Sequence, residues 1–105
     1  MTKSQAISAI KLELGQLGPT PRAIASKLKR LGFCGKRKRG DACCLHNYLK
    51  SKGFDVFVEP ENLYLGGYDH SETDFIKLPK KIQDFLVEFD GGNFPHLIEK
   101  TKRNA

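Results

Sequence analysis

Between Phe33 and Leu49 the chain reads FCGKRKRGDACCLHNYL, a window that gathers most of the side chains able to do chemistry. Four consecutive cations, Lys36, Arg37, Lys38 and Arg39, stand between two glycines. All three cysteines of the protein, Cys34, Cys43 and Cys44, lie in the same window, with His46, one of three histidines. Three chemistries could use such a set. Lysine and arginine in alternation supply point charges and forked guanidinium groups that displace the counterions of a polyphosphate backbone. Thiols and an imidazole can ligate zinc. A cysteine beside cations at a helix start can be held as a thiolate nucleophile.

The second and third are poorly supplied. Zinc sites use four ligands in close pairs, whereas Cys34 and Cys43 are separated by eight residues. Cys43 and His46 would give two ligands from one helical side, and His70 or His96 would have to complete the set. The sequence is therefore read as having no metal and no cofactor. No nucleophile signature surrounds Cys43 or Cys44, and the chain is small for a substrate cleft, so it is read as a binding protein and not an enzyme. In the second half, the run DHSETD (69–74) lacks the central glycine and distal glutamate of a calcium loop. Gly66-Gly67 and Gly91-Gly92 read as turn and helix stop, not as phosphate cradles. Polyanion binding remains the leading chemistry.

Charge distribution points the same way. Of a net +6, residues 1–53 carry +10 and residues 54–105 carry −4. Seven cations, Lys27, Lys29, Arg30 and Lys36 to Arg39, follow one another with no acid between them. Such a split suggests one face for a polyanion and another for solvent or a protein partner. Aromatic residues are scarce in the basic half (Phe33 and Tyr48), which disfavours a stacking platform for single strands and favours duplex or structured RNA backbone. At 105 residues, 39% hydrophobic and 29% charged, the composition is that of one soluble domain. We place it at 1–99, with 100–105 as a frayed basic tail. No apolar run approaches the ~20 residues of a membrane span. Residues 1–16 lack the apolar core of a signal peptide, and three cysteines make an odd count for a disulfide framework, so a reduced, cytoplasmic setting is expected. The pattern carries no signal of oligomeric state.

The elements that must position these residues follow from caps and periods. Thr2 with Gln5 is a capping-box pattern, and Ile7, Ile10, Leu14 and Leu17 form one helical stripe up to Gly18-Pro19. Thr20-Pro21 starts a second helix with stripe Ile24, Leu28 and Leu31, closed by Gly32. The run 35–40 reads as a loop. Asp41 is expected to cap a third helix through Ser51 or Lys52, burying Cys44, Leu45, Tyr48 and Leu49 and exposing Cys43, His46, Asn47 and Lys50. Period two over Phe54 to Val58, with Phe57 outward or against a neighbour, and a return over Leu63–Leu65 predict a hairpin. A third strand is expected over Asp74–Leu78, after a polar loop holding His70. Pro79 is expected to open a helix through Phe89 with stripe Ile82, Phe85, Leu86 and Phe89, and Asn93 to cap a last short turn.

The fold class is thus α+β. Three helices, a hairpin and a helix resemble the element order of winged-helix domains. That resemblance implies a recognition helix at 42–52 offering His46, Asn47 and Lys50 to base edges or phosphates, with Lys36 to Arg39 on the backbone. The connection from Gly32 to Asp41 departs from the short turn of the standard motif. The functional expectation is a small DNA-binding regulatory domain contacting phosphates through 27–39. The alternative is a protein-interaction factor that turns its basic face or a sheet edge to an acidic protein.

Overall fold

Thr2 and Gln5 form the reciprocal cap their spacing predicts. The Gln5 N–H donates to Thr2 Oγ1 at 3.1 Å and the Thr2 N–H donates to Gln5 Oε1 at 2.8 Å. Two backbone donors that a helix start leaves open are thereby satisfied, and α1 runs Lys3–Gly15. α2, Pro21–Leu31, starts on Thr20, whose Oγ1 accepts the Ala23 N–H at 3.2 Å, and ends on Gly32 at φ 89°. That left-handed conformation costs glycine little and other residues more. The computed structural model describes residues 2–66 and 75–98. Within them follow α3, Cys44–Ser51, α4, Lys80–Asp90, and a 3-10 turn at Pro95–Leu97. The expected loop with His70, the DHSETD run and the tail at 100–105 lie outside the described residues.

The period-two stretch becomes β1, Val56–Val58, and β2, Asn62–Leu65, and the expected third strand is β3, Phe75–Lys77. All pairing is antiparallel in the order β1-β2-β3, with Val58 opposite Leu63 and Leu63 opposite Ile76. Val56, Val58, Leu63 and Ile76 are buried, the inward set of a half-buried sheet. A hairpin alone is marginal in water; here a third strand and α3, packed on β1, complete it. α2 packs on α4 and on the 3-10 turn, around Ile24, Leu28, Phe85, Phe89 and Leu97, all fully buried. Each such side chain contributes roughly 1.5–3 kcal/mol by leaving water. The architecture is α+β, as the pattern of caps and periods implied.

Three boundaries differ from expectation. Asp41 does not cap α3. Cys43 does: it is extended (φ −73°, ψ 167°) and its Sγ accepts the His46 N–H at 3.4 Å. The Asp41 carboxylate is drawn to Arg39 at 3.2 Å instead, so the helix starts after a further turn. Pro79 stands at the N-cap of α4 and not at its first helical position. The last turn is preceded by Phe94, with no side-chain cap from Asn93.

Candidate nucleic-acid interface

A run with no apolar period cannot be placed by packing its own side chains, so its backbone hydrogen bonds decide where it lies. The N–H of buried Gly35 donates to the Leu97 carbonyl at 2.9 Å. A Cβ here would run into the backbone of Ala42, Cys43 and Cys44, so only glycine permits the approach. The Lys36 N–H donates to the Ala42 carbonyl at 2.8 Å, closing 36–42 into a loop. The Gly40 carbonyl accepts the Val58 N–H at 3.0 Å, which ties the loop to the outer edge of β1. The Phe57 ring lies over Gly40, its Cε1 2.8 Å from where a Cβ would stand.

A further tie reaches the end of α4. Arg37 Nε donates to the Asp90 carbonyl at 2.9 Å, and the Lys38 N–H donates to Asp90 Oδ1 at 2.8 Å. A guanidinium at a helix C-terminus meets the negative end of the helix dipole. Lys38 sits at φ 59°, the one non-glycine in the left-handed region among the described residues. That conformation costs a residue with a Cβ roughly 1–2 kcal/mol. Asp90 is the residue that motif reasoning missed, because it reads as one more acid of the acidic half. One signal was legible: an acid in the last position of a helix opposes the dipole unless something else holds it.

The loop's backbone is tied down at Lys36, Lys38, Arg39, Gly40 and Ala42, while much of its charge is left without a partner. Lys36 and Lys38 have exposed side chains that make no hydrogen bond or ion pair among the described residues. Arg39 pairs with Asp41 and holds that carboxyl below its ordinary value, chiefly through the hydrogen bond between them; an exposed pair of this kind contributes at most about 1 kcal/mol. Lys29 and Arg30 are exposed on the last turn of α2. Lys27 is committed elsewhere, its Nζ donating to the Gln16 carbonyl at 2.8 Å at the end of α1. No protein-family model, curated protein or solved structure matches this chain.

The side of α3 expected to be exposed is largely covered, because the loop leading into the helix folds back along it. His46 is 7% exposed, and its Nδ1 lies 3.0 Å from Asn47 Oδ1. Asn47 Nδ2 donates to the Cys34 carbonyl at 2.7 Å. Asn47 thus holds the loop to the helix, and His46 braces Asn47. Lys50 alone of the three candidates on this helix stands exposed. Cys43 is buried as well, and burial pushes its thiol up to about 11. Cys44 is raised further, first by burial and then by Cys43 beside it. The helix start therefore does not produce the low-pKa thiolate that a nucleophile needs. Cys34 is exposed, and no three His, Cys, Asp or Glu side chains gather as a metal set among the described residues.

Between the loop, β1 and α4 lies a cleft of about 340 Å³. Lys38 and Arg39 line it together with Glu59 and Asp90, over an apolar floor that includes Phe57 and Leu86. With both signs of charge on its walls it is not a basic funnel. Of the unpartnered cations Lys38 reaches this cleft, whereas Lys36 on the loop and Lys29 and Arg30 on α2 do not line it. No described helix is long and apolar enough to cross a membrane.

Proposed function

We propose that the protein is a small, non-enzymatic, cytoplasmic domain that binds duplex DNA in a regulatory role, through phosphate contacts from Lys36, Lys38, Lys29 and Arg30. Arg37, Arg39 and Lys50 are further contacts. The observation that carries this reading is the use the loop makes of its acids. Asp90 takes the backbone N–H of Lys38 and not its ammonium, so a positively charged loop has a tethered main chain and unspent lysine side chains. Fixed cations bind phosphate with less ordering cost than mobile ones. On this reading the winged-helix element order is used differently from the standard motif. Phosphate contacts come from the loop before α3, and His46 and Asn47 are left out of base reading because Asn47 is bonded to the loop and His46 is buried against Asn47.

The test is fluorescence anisotropy with labelled duplex DNA across a salt series. Affinity should fall steeply with salt, and replacing both Lys36 and Lys38 with alanine should lower the log–log slope by about two, near 0.9 for each phosphate left unneutralised. Thermal unfolding of that variant should match the native protein, since neither side chain has a described partner. No binding at low salt, or binding indifferent to salt, ends the proposal. Capture of an acidic protein that survives nuclease and high salt would favour the alternative, for which exposed Phe75 on the edge strand β3 is the structural support.

A further inference from the structure

Asp90 stands where simple electrostatics would not place an acid. It adjoins the basic loop, and a negative charge there opposes the approach of a polyanion. Yet among the described residues it neutralises no lysine ammonium. Its Oδ1 accepts the Lys38 N–H at 2.8 Å and its carbonyl accepts Arg37 Nε at 2.9 Å. The Arg37 guanidinium lies against Gly92, with Nη1 3.6 Å from where a Cβ on that glycine would stand. The other ties of the loop, at Gly35, Lys36, Gly40 and Ala42, fall on either side of 37–38. Among the described residues Asp90 alone holds the tip, and the tip contains the left-handed Lys38.

We infer that Asp90 is a positioning residue for polyanion binding: it fixes residues 37 and 38 so that the Lys36 and Lys38 side chains are presented together. This rests on the nucleic-acid reading above. Released from Asp90, Lys38 relaxes out of the left-handed region, and the loop must be reordered each time it binds. The cost of that reordering is roughly threefold to tenfold in affinity. The unusual consequence is that an acid beside a basic loop aids a polyanion complex through its side-chain oxygen, so that losing the oxygen, and not the charge, weakens binding.

Asp90→Asn and Asp90→Ala separate position from charge, because both remove one negative charge and only asparagine keeps an oxygen able to accept the Lys38 N–H. Anisotropy titrations of the full chain with labelled duplex DNA, repeated at several salt concentrations, should show D90N binding at least as tightly as the native protein. D90A should bind about threefold to tenfold more weakly than D90N, with a parallel salt dependence, since the number of phosphates neutralised is unchanged. Equal affinities for the two variants, or tighter binding by D90A, overturn the inference. Failure of the native protein to bind duplex DNA at low salt overturns the functional reading beneath it. Lys38→Gly against Lys38→Ala provides a second pair should D90A not fold. Both lack the ammonium, but only glycine adopts φ 59° without strain, so K38G should bind severalfold more tightly. Equality or the reverse order counts against the inference.

Discussion

Residues 36–39 and residues 43–47 are neighbours in the chain, yet they meet solvent in opposite ways. The first set lies in an irregular loop whose backbone is tied to α4, to β1 and to the start of α3, while its lysines extend into water. The second set begins a regular helix, and its outward side is folded under: Cys43 is 3% and His46 7% exposed. Asn47 spends its amide on the Cys34 carbonyl. The loop is the rigid presenter, and the helix start is the scaffold it leans on. A run of charges is not by itself mobile when its carbonyls and N–H groups have partners, and a helix side without apolar residues is not by itself a surface.

This contrast can be broken from the scaffold side. The largest effect is expected at Gly35, where a Cβ meets the backbone of residues 42–44 and nothing flexible can move aside. Gly35→Ala should cost about 3 kcal/mol of stability by denaturant unfolding, and a loss below ~0.5 kcal/mol, as at an ordinary surface site, would mean the loop does not lie against α3. Asn47→Ala comes next. It removes the donor to the exposed Cys34 carbonyl and should cost about 0.5–1.5 kcal/mol; an asparagine free to read bases would show no such loss.

The smallest effect is a pH dependence. Both buried thiols are raised, so the folded chain keeps protons that the unfolded chain loses above the ordinary thiol value of about 8.5. Stability is complete below that value and should decline as pH rises toward the folded Cys43 value of about 11. Tyr48, raised to about 12 by burial and by its hydrogen bond to Glu13, adds to the decline at higher pH. Unfolding midpoints from pH 7 to pH 10 would check it. A stability that stays flat over this range would place Cys43 and Cys44 at the surface instead.

Much of the fold was legible because its signals are short-range. Thr2 with Gln5, Thr20 with Pro21, and Gly32 act within one helical turn, and each does what its spacing predicts. The stripe Ile82, Phe85, Leu86 and Phe89 is buried as written. Asp41 misled because a helix-cap residue and a salt-bridge partner look alike in one dimension, and Arg39 two residues away was the nearer claimant. His46 and Asn47 misled for another reason. Helical periodicity separates the two sides of α3, but it is silent about a loop that covers the polar one.

By itself the sequence determined the helices, the first hairpin, the charge split and the stretch that carries the candidate site, because these depend on residue types a few positions apart. Only the tertiary structure decided which of the seven clustered cations remain available. Lys27 is diverted to the end of α1, and the loop tip is held by Asp90, 52 positions beyond Lys38. A hydrogen bond across that distance exists only once α2, α4 and the sheet have packed, so no local pattern of residues could announce it.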